Sequence, residues 1–161
     1  MRTKNAVRLS LAVAMTFAFA SLLVPGDAQT LNVSKTAMAG TYSVTLKVLP
    51  AESFSGPKAE MVRDSGAEPN TLNGPVPPNH HMVAFVVKSD KPVEDATVAI
   101  SYRELSPKRG KWMSLPVARM HVADKSLETT HYGNNVKLGP GSYEARVTVN
   151  GKGPATVRFS L

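Results

Sequence analysis

The chain has no cysteine among its 161 residues. That absence excludes disulfide staples, iron–sulfur clusters and the thiolate sites that structural zinc prefers. It also excludes a lipidated cysteine behind a leader peptide. Aromatic residues make up only 6%, with a single tryptophan, Trp112. Surfaces that hold nucleic acid by interleaving cations with stacked aromatics need more than that. After residue 28 no segment carries a helical stripe of apolar residues, and none is apolar enough to span a membrane. Nucleophile elbows and paired-carboxylate motifs are missing too, so the chain is not expected to be an enzyme.

What is present begins with a leader. Arg2, Lys4 and Arg8 precede an uncharged apolar run over residues 9–24, and Gly26-Asp27-Ala28 reads as a small-x-small cleavage site. Residues 1–28 are therefore expected to be a secretory signal peptide, with a membrane anchor as the competing reading. The run is short for a span and has no positive flank on its C-terminal side. The expected product is exported and periplasmic, with residues 29–161 as one domain. Lys and Arg number 19 against 12 Asp and Glu; the leader removes three of the former and one of the latter, leaving a net charge of +5. These charges are dispersed. The densest cluster, Lys108-Arg109-Gly110-Lys111, looks like a hairpin tip with only Trp112 beside it, and no nucleic-acid partner is expected.

Apolar residues in the mature chain recur with period two. Tyr42, Val44, Leu46 and Val48 alternate with Ser43, Thr45 and Lys47. The same rhythm runs through Val83-Phe85-Val87, Ala96-Val98-Ile100-Tyr102, Tyr143-Ala145-Val147-Val149 and Ala155-Val157-Phe159-Leu161. Each reads as a half-buried strand with one face to a core. Turn residues separate them at 89–92, 106–110, 139–141 and 150–153, and Asn150-Gly151 favours a tight hairpin. The expected fold is all-β: an antiparallel immunoglobulin-like β-sandwich of about seven strands. Tyr143 stands where a tyrosine corner would, though it also reads as an ordinary core residue. Residues 50–79, rich in Pro, Gly, Asn and Ser, interrupt the rhythm as a long loop with room for a short edge strand near 58–63.

The four histidines fall in three short segments: His80-His81-Met82, Met120-His121 and His131-Tyr132-Gly133-Asn134. Imidazole with thioether and no thiolate suits copper, above all the cuprous ion. His81 is in phase with Val83 and Phe85, which places it on the core-facing side of its strand and turns His80 outward. Met120 and His121 end a strand that begins near Trp112 and point to opposite faces. His131 follows a polar turn at 124–130 and precedes a short strand around 136–138. Three strand ends would then meet at one end of the sandwich. Plain structural uses stand beside these. His81 reads also as a backbone-bonded histidine, Met120 as core filler, His131 as a turn residue, and Met61, Met82 and Met113 as apolar filling. Gly133, Asn134 and Asn135 suit a turn with positive φ. Bonds to one metal are about 2 Å long, so ligand side chains more than about 8 Å apart would end the metal reading.

The stretch Thr130-His131-Tyr132-Gly133-Asn134-Asn135-Val136-Lys137-Leu138-Gly139-Pro140-Gly141-Ser142-Tyr143 resembles the His-Tyr-Gly-x-Asn…Gly-x-Gly-x-Tyr signature of the periplasmic ferrous-iron-transport accessory proteins. Two further pieces resemble that family in the same order. His81-Met82-Val83-Ala84-Phe85-Val86 is similar to its His-x-x-Ala strand, and Met120-His121-Val122-Ala123-Asp124 to its Met-Val-Ala-Asp segment. The resemblance covers about residues 42–149. It implies an immunoglobulin-like, copper-binding protein associated with a high-affinity iron permease, with His81, Met120 and His131 at the positions of metal ligands. This chain departs from the pattern in having Leu115-Pro116-Val117 where the family has Met-Pro-Met. It also has only a short turn at 151–154 where the family's later histidine lies. His121 or His80 is then the candidate for a fourth ligand.

The expected role is to bind copper, with iron as the second metal considered, and to supply or buffer it for a membrane metal permease or another periplasmic protein by ligand exchange. Protonation of the histidines below about pH 6 is expected to release the metal. A homodimer through a sheet edge is suggested by the resemblance. The alternative of another class is a metal-free immunoglobulin-like protein-interaction module using a sheet edge or the 50–79 loop.

Overall fold

The computed structural model describes residues 32–53, 77–121 and 130–161. The expected leader, the possible strand near 58–63, Met61 and most of the 50–79 loop and the 124–130 turn lie outside the described residues.

Ten strands and no helix make up the described residues. They are β1 (Val33–Ala39), β2 (Tyr42–Pro50), β3 (His80–Lys88), β4 (Lys91–Pro92), β5 (Val98–Ser106), β6 (Met113–Leu115), β7 (Ala118–Met120), β8 (His131–Val136), β9 (Ser142–Val149) and β10 (Lys152–Ser160). One sheet has the order β1-β2-β3-β8-β7, with β4 also paired to β3; the other has the order β10-β9-β5-β6. All pairs are antiparallel. This is the expected immunoglobulin-like sandwich, with short extra strands.

The alternating residues explain why the sheets close on each other. Val44, Leu46 and Val48 of β2, Ile100 and Tyr102 of β5, Tyr143, Ala145, Val147 and Val149 of β9, and Ala155, Val157 and Phe159 of β10 form one buried cluster. Each large apolar side chain so buried contributes roughly 1.5–3 kcal/mol. The turns between strands follow residue chemistry. Asn150 and Gly151 take φ of 49° and 70°, the paired positive values of a tight hairpin turn between β9 and β10. The Tyr143 hydroxyl donates to the Gly139 carbonyl at 2.9 Å, closing a tyrosine corner.

Three elements differ from expectation. β1 carries few large apolar residues and lies mostly exposed at a sheet edge, so its alternation is weak. The strand expected from Trp112 to Met120 is two strands, β6 in one sheet and β7 in the other. Pro116, which has no N–H to give a ladder, lies in the two-residue crossing between them. Met113 is exposed at 46% instead of filling the core.

Candidate metal centre

β3 is an inner strand, paired to β2 on one side and β8 on the other. Five of its first seven residues are buried, and they face both ways. Met82, Ala84 and Val86 point into the sandwich core. Val83, with Phe85 packed against it, belongs to a second, smaller cluster with Ala118 and Met120 of β7. His81 shares the side of Val83, because side chains alternate along a strand. The core-facing placement expected for His81 is therefore corrected: it is buried, at 1% exposure, on the outer face of the six-stranded sheet. His80 takes the core-side register at the end of the sandwich. Its Nδ1 is 2.9 Å from Asn79 Oδ1, and burial, then Lys137, lower its pKa.

Strand register assembles the rest of this outer face. Met120 lies opposite His131, and Ala118 opposite Gly133. Gly133 lies opposite Val83, and Asn135 opposite His81. One face of three adjacent strands thus carries His81, Val83 and Phe85, then His131, Gly133 and Asn135, then Ala118 and Met120. His131 is the first residue of β8 and not part of a turn, which corrects the turn reading of this stretch. Gly133 is extended and not at positive φ; its use is close approach. A Cβ there would collide with the Met82 carbonyl oxygen and come within 2.8 Å of Val83 Cα. Without that glycine, β8 could not lie so close to β3.

The His81 and His131 rings meet edge to face, with centroids 5.9 Å apart and planes at 89°. Phe85 tilts against the other imidazole, 5.3 Å from the His131 ring. Lys47 Nζ, on β2, lies 4.6 Å from the Phe85 centroid. Met120 is buried next to His131 across the β7–β8 ladder. The three residues singled out by sequence therefore share one face, and the two imidazoles stand well inside the separation one ion allows. His121 is exposed just past β7, and His80 lies on the other side of β3.

Two residues that sequence reasoning did not place at the site complete it. His81 Nδ1 lies 2.9 Å from Asn135 Oδ1. The same Asn135 amide holds the chain just beyond β2. Its Oδ1 accepts from Glu52 N at 3.1 Å, and its Nδ2 donates to Glu52 O at 2.7 Å. That clamp sets the Glu52 carboxylate beside His81, with Oε2 3.8 Å from Nε2. Burial lowers the His81 pKa; Glu52 and the Asn135 bond work against this, and His131 adds to it. The one hint in sequence was Asn135 itself, since asparagine is depleted inside strands. Glu52 left no signal, because its contact spans 83 residues.

Tyr132, between these donors, faces the core. Its hydroxyl donates to the Val93 carbonyl at 2.8 Å and accepts from Ala96 N at 3.1 Å. It anchors β8 to the segment ahead of β5 and is structural.

No family model matches the chain, and no curated protein matches it. Solved structures do. A copper-bound variant of FetP from uropathogenic Escherichia coli strain F11 is similar at TM-score 0.53 and 13% identity, over 81% of this chain and 94% of that one. The chain shares its fold with FetP. The same protein as isolated, after expression in the E. coli periplasm, is similar at TM-score 0.51 and 14% identity, over 81% and 93%. A DUF4426 family protein from Pseudomonas aeruginosa is similar at TM-score 0.48 and 17% identity, over 80% and 92%. The FetP neighbours agree with the family that the His131-Tyr132-Gly133 stretch resembles.

The donor chemistry fits copper. Two buried imidazoles and a thioether on one face are a borderline-to-soft set. Among the described residues no group of three or more His, Cys, Asp and Glu comes together as a metal cluster. The candidate set is therefore two nitrogens and a sulfur, with Glu52 as the nearby oxygen. Two bonds of about 2 Å span up to about 4 Å, so His81 Nε2 and Glu52 Oε2, 3.8 Å apart, lie within reach of one ion.

Proposed function

We propose that this chain is a periplasmic metal-binding protein that holds copper through His81, Met120 and His131 and passes it on by ligand exchange. The observation that carries this reading is the joint burial of both imidazoles on one outer sheet face, rings 5.9 Å apart, with Met120 paired to His131. Cuprous ion is satisfied by two nitrogens and a sulfur, whereas cupric ion adds an oxygen or nitrogen donor. Glu52 is placed to be that donor, and it displaces His80 and His121 as the candidate fourth ligand. Iron prefers more oxygen donors than this face offers and ranks second. A membrane metal permease or another periplasmic protein is the proposed recipient, and the apolar run of residues 9–24 supports export. The copper-bound FetP neighbour shares the fold and supports the choice of metal.

Calorimetric titration with Cu(I) and Cu(II), each under a competing chelator, tests the reading on wild type and His131→Ala. The expected result is tight Cu(I) binding to wild type, weakened at least tenfold in the variant. Equally weak binding by both proteins overturns it.

A further inference from the structure

We infer that Asn135 is a positioning residue that holds the His81 proton on Nδ1 and so presents Nε2 as the donor atom. The inference goes beyond the choice of ligands to the atom that binds, and its metal arm rests on the copper reading above.

The orientation of a side-chain amide is normally assigned and not seen, because oxygen and nitrogen look alike. Here the partners decide it. Glu52 offers Asn135 one donor, its N–H, and one acceptor, its carbonyl. The amide oxygen must face the donor and the amide nitrogen the acceptor. Flipping Asn135 would set N–H against N–H and C=O against C=O, losing two bonds in a site where the asparagine has 0% exposure. The atom that meets His81 Nδ1 at 2.9 Å is therefore the oxygen, which can only accept. Nδ1 must carry the hydrogen. In a neutral imidazole the lone pair then resides on Nε2.

Nε2 is the ring atom beside the Glu52 carboxylate. One asparagine thus performs two tasks. It selects the tautomer of His81, and by gripping both backbone groups of Glu52 it brings a carboxylate to the same nitrogen. A partner on the far ring nitrogen that fixes tautomer and orientation is what metal-ligating histidines generally have. The Asn134 side chain supports the arrangement, its Oδ1 accepting from Asn135 N at 2.9 Å.

The test begins on metal-free protein. Long-range proton–nitrogen correlation spectra of 15N-histidine-labelled full chain at about pH 8 distinguish the two neutral tautomers of His81. The expected spectrum shows His81 as the Nδ1–H form in wild type. Asn135→Asp keeps an acceptor at this position and is expected to keep that tautomer. Asn135→Ala removes it and is expected to shift His81 toward Nε2–H. Wild-type His81 found as Nε2–H overturns the inference with no variant needed, and so does an unchanged tautomer in a folded Asn135→Ala. Cu(I) titration forms the second arm. Asn135→Ala is expected to bind roughly 10- to 100-fold more weakly than wild type. An unchanged affinity overturns the positioning role. A wild type with the Nδ1–H tautomer that binds no copper leaves the tautomer assignment standing and sinks the copper reading alone.

Discussion

The outer faces of the two sheets make an instructive pair. Across the four-stranded sheet, Arg158 lies opposite Glu144, and Glu144 opposite Arg103. Arg103 donates to Glu144 through both Nε and Nη2, and Arg158 Nε reaches the other carboxylate oxygen at 3.1 Å. Arg103 and Arg146 stack on Trp112, their guanidinium carbons 4.4 and 4.2 Å from the ring centroid. On this face two guanidiniums share one carboxylate and a third stacks on the indole. The outer face of the six-stranded sheet holds instead two imidazoles and a thioether, all buried, with a half-buried phenyl ring packed against them. Ionic groups that pair locally stabilise a sheet and need no ligand. Neutral lone pairs gathered beside a carboxylate form an arrangement that a cation completes.

Copper is expected to distinguish the two faces most strongly. At a free Cu(I) concentration about a thousandfold above Kd, binding stabilises the folded state by roughly 4 kcal/mol. Scanning calorimetry is therefore expected to show a full rise in Tm for wild type and for Arg146→Ser, and a clearly smaller one for His131→Ala. A similar rise in all three would remove the metal from the His81 face.

Next in size is Gly133→Ala. The added Cβ runs into two backbone atoms of β3, and a destabilisation of about 3 kcal/mol is expected from overpacking. Ser101→Ala, at a mid-strand position on the opposite sheet, is expected to change stability by less than about 0.5 kcal/mol. Urea midpoints of the two variants check the contrast.

Acid separates the two faces, because both are expected to lose stability as pH falls but in different windows. The folded His81 pKa lies below its ordinary 6.5, chiefly from burial. The unfolded chain then takes up the proton first, so stability is expected to decline as pH falls through 6.5 toward the folded value. His80 is pushed the same way. Urea midpoints between about pH 7.5 and 5.5 are expected to fall more steeply in wild type than in His81→Gln.

Glu144 is the smallest effect. Its pKa is held below the ordinary 4.5, first by the Arg103 hydrogen bond. A depressed carboxylate stabilises fully above its unfolded value and loses that contribution as pH falls through the folded one. The gap in urea midpoint between wild type and Glu144→Gln is expected to be open near about pH 6 and to narrow below about pH 4. A gap that does not narrow would mean that the Arg103–Glu144–Arg158 row acts through shape and not charge.

Where one strand face is apolar and the other polar, the sequence is easy to read. β2, β5 and β10 alternate, β9 does so apart from the buried Glu144, and the residues expected inside lie in the core or pack against it. The hairpin at Asn150-Gly151 and the Tyr143 corner are similarly legible, since each depends on a few adjacent residues. β3 and β8 are harder. Almost every residue of β3 after His80 is apolar, and all six of β8 are buried. Period two then marks a strand without saying which face is which, so the phase of His81 gives its burial but not its side.

By itself the amino-acid sequence determined the all-β class, the strands of the main core, and the three candidate donors, because alternation, turn chemistry and residue type are local. Tertiary structure alone decided the face of β3, the division of β6 from β7, the close approach at Gly133, and the clamp joining Asn135, Glu52 and His81. Those depend on which strands become neighbours, and no local pattern encodes contacts between residues 83 positions apart.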